Sequence, residues 1–261
     1  MSYIDLYTSS ALTFAGTERG FKEADYVIVG VPLDHTSSYR PGSRFAPLAI
    51  REASLHIEGF SFRTGKSICD LKIHDAGDLH VNADTEETLR LLELVTGEIL
   101  KEGKKPVLLG GEHTLTLGSA RSLRGDFAVL CFDAHLDLRD EYMKRKICHA
   151  TVMRRIHEIK NLQKMVMIGT RAACREEIAY AEKHGIDFIS SREIHQNSLE
   201  DISLRINNLL EGQNAVYLSL DLDVLDPAFA PAVQTPEPEG ISTHQLLEII
   251  LSLIHISEPT R

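Results

Sequence analysis

Three things are scarce in this chain: positive charge, cysteine and long apolar runs. Lysine and arginine total 28 against 38 aspartates and glutamates, for a formal net charge of −10. A protein that grips nucleic acid displaces counterions with a basic face, and this balance supplies none. The one basic stretch, 139–155, is interrupted by acids and reads as a solvated helix face. No apolar run reaches the roughly 20 residues of a membrane-spanning helix. The opening MSYIDLYTSS has no basic segment followed by an apolar one, so no secretory signal is expected. The four cysteines, Cys69, Cys131, Cys148 and Cys174, show no CxxC pair and no disulfide-like spacing, which suits a reducing cytoplasm. Cys131 sits in an apolar run and reads as a small buried hydrophobe. Cys148 precedes His149, but a nucleophilic thiol there lacks an evident orienting partner.

What is present is alternation. With 261 residues, 43% of them hydrophobic, the chain can bury one large α/β core. Short apolar, β-branched runs at 26–31, 72–76, 106–109, 127–132, 165–168, 187–189 and 216–220 read as strands, several of them continuous enough to be covered on both faces. Amphipathic runs at 48–55, 86–102, 115–123, 151–158, 175–184 and 199–211 read as helices. Gly103 and Gly185 stand where C-terminal glycines belong, and Asp84 or Thr85 can cap the helix that follows. The pattern predicts an α/β fold, a three-layer α/β/α sandwich around a mostly parallel sheet. Such sheets bind ligands beyond the carboxyl ends of their strands.

The polar clusters fall at those ends. Gly110-Gly111-Glu112-His113-Thr114 follows the run 106–109, its two glycines allowing a tight turn and room for a close ligand. Asp133-Ala134-His135-Leu136-Asp137 follows 127–132, and Asp221-Leu222-Asp223 ends the run VYLSL. Carboxylates ending an apolar strand are costly to bury without a partner. In an extended segment residues i and i+2 point the same way, so Asp133, His135 and Asp137 can converge, as can Asp221 and Asp223. A lone His113 reads as a turn histidine; three strand ends all offering hard or borderline ligands read as a metal site. Four aspartates balance two dications, and six side chains exceed what one tetrahedral zinc takes. Carboxylate-rich ligation suits two manganese ions, with zinc, iron and cobalt left open.

GGEHT, DAHLDLRDEY and SLDLDVLDPAFAP, with RPGSRFAPLAIREAS nearer the start, resemble the ureohydrolase family of arginase, agmatinase and relatives. The resemblance runs from Val29 to Gly240. DLRDEY followed by His149-Ala150-Thr151 is more similar to agmatinase, because arginases carry an asparagine-rich loop after the DAH motif. The resemblance implies an arginase-like fold and a hydrolase with two Mn2+ per chain. One ion would be held by His113, Asp133, Asp137 and Asp221, the other by His135, Asp133, Asp221 and Asp223, with Asp133 and Asp221 bridging. Asp137 counts with His149 among the catalytic residues, His149 matching the family's proton-shuttle histidine at the substrate. The implied reaction cleaves a guanidino C–N bond, turning agmatine into putrescine and urea, within polyamine biosynthesis in the cytoplasm. Trimers or hexamers are implied as well. Gln245 stands where the family has the glutamate that grips the guanidinium, and Gln234 replaces a usual glycine. The departure at Gln245 keeps open a formimino or amidine hydrolase, similar to formiminoglutamase or guanidinobutyrase. A metal-binding relative without turnover is the non-enzymatic alternative. A deacetylase of related fold would leave the second set of ligands without use.

Residues 1–250 are expected to form one catalytic domain, and 251–261, LSLIHISEPTR, resemble a translated sequencing adapter. On that reading the last strand and helix of the family fold are missing. LLEIILSLIHI is itself periodic enough to be a helix end.

Overall fold

The computed structural model describes residues 2–9 and 12–253. Its contacts gather into two compact units, Met1–Leu123 and Arg124–Arg261.

The first unit contains α1 (Tyr3–Tyr7), β1 (Thr8–Ser9), β2 (Tyr26–Val31), α2 (Ala46–Ser54), β3 (Phe60–Ser61), β4 (Lys66–Ser67), β5 (Ile73–Leu79), α3 (Thr85–Lys101), β6 (Lys105–Gly110) and α4 (Leu115–Arg121). Its sheet runs β1-β5-β2-β6, with β2 parallel to both β5 and β6 and β1 antiparallel at the edge. β3 and β4 pair separately. α3 forms because Leu89, Leu92, Val95 and Ile99 recur at helical spacing and are fully buried. Each such side chain contributes about 1.5–3 kcal/mol. Between the two candidate caps the structure selects Asp84, which accepts the Glu86 N–H at 3.0 Å. Glu86 and Glu87 in the first turn add a favourable dipole interaction.

The RPGSRFAPLAIREAS segment supplies α2, and Arg51 is its anchor. That side chain is 2% exposed and grips Asp75 through Nε (2.7 Å) and Nη2 (2.8 Å), while Nη1 reaches Asp78. Burial opposes a charge on Arg51, but the hydrogen bonds and charges of Asp75 and Asp78 outweigh it and hold the guanidinium protonated. Asp75 also accepts the Phe14 N–H, so one ion pair ties α2, β5 and the N-terminal loop together.

The second unit contains β7 (Phe127–Phe132), α5 (Val152–His157), β8 (Leu162–Thr170), α6 (Arg175–His184), β9 (Asp187–Ser190), α7 (Ser191–Gln196), α8 (Leu199–Leu210), β10 (Val216–Leu220) and α9 (Thr243–Leu253). Its sheet is wholly parallel in the order β10-β7-β8-β9. Every residue of β7 is buried, as a central strand covered on both faces requires. Ala128, Leu130 and Phe132 share a core with Ile194 of α7, Ile202, Ile206 and Leu210 of α8, and Leu246 and Ile249 of α9.

All seven expected strands are present; β6 and β9 extend by a residue at one or both ends, and β5 (reaching Leu79) and β8 (spanning Leu162–Thr170) by more. The basic stretch 139–155 is not one helix face. Residues 139–148 are irregular, and only its end lies on α5, where Arg154 and Arg155 pair with Asp140 and Glu158. Periodicity does not reveal α7: six residues are too few, and its signal is a capping box, Ser190 with Glu193. Residues 251–253 continue α9, and the remainder of the expected foreign tail lies outside the described residues. Among the described residues no helix is long and apolar enough to cross a membrane.

Replacing Arg51 with alanine leaves the buried Asp75 carboxylate uncompensated. Urea unfolding of Arg51→Ala should show a loss of about 3–5 kcal/mol; a loss below about 1 kcal/mol would mean that the pair does not anchor the unit.

Candidate metal centre

β7 and β10 lie side by side in parallel register, with Leu220 opposite Phe132. Both strands therefore end at one level, and the Asp221 N–H still donates to the Phe132 carbonyl at 2.8 Å. Beyond that point neither segment stays extended. Asp133 Oδ1 accepts the His135 N–H at 2.7 Å, and Asp221 Oδ1 accepts the Asp223 N–H at 3.0 Å, capping a 3-10 turn, Leu222–Val224. Both are the same local device, an aspartate bonded to the backbone two residues on. The expectation that i and i+2 project together from an extended chain is therefore corrected: each aspartate closes a tight turn instead.

The two turns interlock. Ala134 N–H donates to Asp223 Oδ1 at 3.0 Å, and His135 Nδ1 lies 3.0 Å from Asp223 Oδ2 and 3.5 Å from Asp133 Oδ1. Thr235 donates its hydroxyl to Asp223 Oδ2 at 3.2 Å. One donor atom each from Asp133, His135 and Asp223 lies within 4.8 Å of the other two. Asp137 and Asp221 are not part of that triplet. Asp137 is buried with φ 51°, a left-handed conformation that aspartate tolerates better than most residues, and its carbonyl accepts the Arg154 N–H.

Burial disfavours a charge on His135, but hydrogen bonds to Asp133 and Asp223, and their charges, override it and push its pKa up to about 12. Asp223 moves upward, first from burial and then from the charge of Asp133. Two carboxylates and an imidazole thus compete for one positive charge. Donors sharing a divalent ion at about 2.1 Å stand no more than about 4.2 Å apart. The His135 to Asp223 and His135 to Asp133 distances already meet that limit. Imidazole nitrogen with carboxylate oxygen is also a donor set that borderline and hard divalent ions accept, so the residues fit a metal.

His113 belongs to the first unit, in the buried turn between β6 and α4. Glu112 fixes that turn: its carboxylate accepts the N–H groups of His35 and Thr36 and the hydroxyls of Thr36 and Thr114. The space at Gly111 is not left for a ligand, as its position suggests in sequence. A Cβ there would overlap the Leu33 carbonyl oxygen, because the backbone of Leu33 packs directly against it.

His149 opens a 3-10 turn, His149–Thr151, with its ring edge-on to Tyr142 at 5.8 Å. Cys148 is buried beside Thr151, its Sγ 3.5 Å from the Thr151 hydroxyl. Gln245 is the third residue of α9 and part of its cap. Its Oε1 accepts the Ser242 N–H (2.9 Å) and hydroxyl (3.0 Å), and its Nε2 lies 3.4 Å from His195 Nδ1. It lines a cavity of about 590 Å³ with Arg192, His195, Asp226 and Glu239. Glu237 brings Oε1 to 3.7 Å from His135 Nε2.

Sequence reasoning does not reach Arg171 or Thr235. The available signal for Arg171 is its position: it follows β8 as Asp133 follows β7.

Gly111→Ala must displace the Leu33 backbone or the His113 turn. It should lower the melting temperature by several degrees, the equivalent of about 1–3 kcal/mol; an unchanged melting temperature would show that the turn has slack.

A family model described as arginase family matches residues 24–258. The agmatinase of Pyrococcus horikoshii is 36% identical over 251 residues, covering 94% of this chain and 84% of that protein. The N(1)-aminopropylagmatine ureohydrolase of Thermococcus kodakarensis is 35% identical over 261 residues, covering 99% of this chain and 87% of the relative. Among solved structures, the agmatine ureohydrolase of Thermoplasma volcanium superposes with a TM-score of 0.86 at 35% identity, covering 94% of this chain and 82% of that one. That likeness carries the expected arginase-like α/β fold, and the matches in sequence and structure agree: this chain belongs to the arginase family.

Proposed function

We propose that this protein hydrolyses the guanidino group of a small cationic substrate, agmatine or a close relative, to urea and an amine, with divalent metal, manganese by preference. The observation that carries this reading is the convergence of Asp133, His135 and Asp223 at the ends of two adjacent parallel strands, in a chain of this family. His113, Asp137 and Asp221 are assigned to the same ligand set on the family resemblance. These residues would hold divalent metal, which when bound would supply a water acidic enough to act as a nucleophile at neutral pH.

The remaining work falls to the chain. Asp133, His135 and Asp223 would hold the metal, and so fix the place from which water attacks. His149 holds the proton that the leaving nitrogen needs, in the reading carried from its motif. The net charge of −10 favours the approach of a cation such as agmatine and disfavours that of an anion. A homo-oligomer acting in the cytoplasm, within polyamine synthesis, completes the proposal.

One observation favours a second reading. Gln245 offers no charge and uses its amide oxygen on the α9 cap. A formimino or amidine substrate asks less of that position than a guanidinium does.

Urea release with Mn2+ should be measured across agmatine, N(1)-aminopropylagmatine, arginine, guanidinobutyrate and formiminoglutamate. Agmatine or its aminopropyl derivative should give most urea, and a chelator should abolish it. Loss of formiminoglutamate with no urea from any guanidine would establish the second reading, and silence from every substrate would leave a metal-binding protein. Gln245→Glu should raise the kcat/KM for agmatine about tenfold or more, the value of one charge-assisted hydrogen bond. Equal or lower activity would show that position 245 serves only the helix cap.

A further inference from the structure

Arg171 makes an unusual set of contacts. Its guanidinium, half-buried, donates to six backbone carbonyls: Nη2 to Asp223 (2.7 Å), Glu237 (2.9 Å) and Leu225 (3.3 Å), Nη1 to Val224 (3.1 Å) and Gly169 (3.2 Å), and Nε to Pro238 (2.9 Å). One planar fork therefore ties the turn that carries Asp223 to the loop that carries Glu237. Burial pulls its pKa down and the surrounding carboxylates only partly restore it, so the charge is retained at a cost. The same loop touches the triplet twice more, through Thr235 on Asp223 and through Glu237 opposite His135.

The orientation of the His135 ring gives Glu237 a role. Nδ1 faces Asp133 and Asp223, and Nε2, on the far side of the ring, faces the Glu237 carboxylate at 3.7 Å. An imidazole that ligates through one nitrogen carries its proton on the other, and a carboxylate placed there fixes the tautomer and strengthens the ligand.

We propose that Glu237 is the positioning carboxylate of His135, and that Arg171 holds it there by latching its loop to the backbone of Asp223. The inference rests on the metal reading above. Glu237 acts through His135, and Arg171 acts through the two loops; neither touches the substrate.

The test compares Mn2+ binding by the wild-type full chain with that of Glu237→Gln, Glu237→Asp and Arg171→Lys, by equilibrium dialysis, with the metal-free melting temperature as a control. Glu237→Gln should weaken Mn2+ binding 10- to 100-fold and leave the metal-free melting temperature unchanged. Glu237→Asp, which keeps the charge on a shorter arm, should recover part of that loss. Arg171→Lys should weaken Mn2+ binding too, because one ammonium cannot span six carbonyls. Unchanged Mn2+ affinity in Glu237→Gln overturns the proposal. So does retained Mn2+ with weakened binding of guanidinium ion, which would place Glu237 on the substrate instead. Failure of the wild type to bind Mn2+ overturns the metal reading itself, a result distinguishable from either.

Discussion

Two carboxylates, Asp133 and Asp223, are buried against one imidazole, and that concentration of charge governs the second unit. Like charges about 4 Å apart repel by about 4 kcal/mol at an effective dielectric near 20, and burial adds to the cost. The chain answers with donors: the backbone N–H groups of Ala134 and His135, the Thr235 hydroxyl, and a proton that His135 holds to a pKa of about 12. Each of these donors is local or comes from an adjacent loop. Protonated His135 offsets one of the two carboxylate charges and the neutral donors stabilise the other, which leaves net negative charge at the candidate site.

The scaffold exists to keep those groups in register. The parallel pairing of β7 with β10 sets the level at which both strands end, and the capped turns then direct the polar groups. Beneath them, Phe132, Ile168, Val224 and Ile241 share a buried apolar core with residues of α7, α8 and α9. In the first unit the pattern repeats in simpler form: Glu112 gathers four donors so that the turn bearing His113 keeps one shape.

The strands were legible in sequence because a continuous apolar run as short as Phe127–Phe132 suits a strand covered on both faces and is too short for a buried helix. The site was legible as composition, in carboxylates and histidines at strand ends, and less so as geometry. Asp221 shows why: strand periodicity predicts where a side chain points only while the chain stays extended, and an aspartate at a strand end competes to turn it. Glu237 and Arg171 were harder still. Their importance lies in tertiary contacts made 66 and 102 residues away in sequence, such as Arg171 to the Glu237 carbonyl and Glu237 to His135. α7 escaped because six residues carry too little period to register, although its Ser-x-x-Glu cap was in plain view.

The bond from Ala134 to Asp223 spans 89 residues. Neither partner can find the other until β10 has docked beside β7, a long-range pairing that follows closure of a large loop. A divalent ion held as proposed by Asp133, His135 and Asp223 would meet all its donors together only in the assembled unit. By mass action its binding free energy adds to the folding free energy, reaching about 2.7 kcal/mol when the free ion is at a hundred times its dissociation constant. On the proposed metal reading, the groups that prepare the site for chemistry would also make metal supply a determinant of how much folded protein there is.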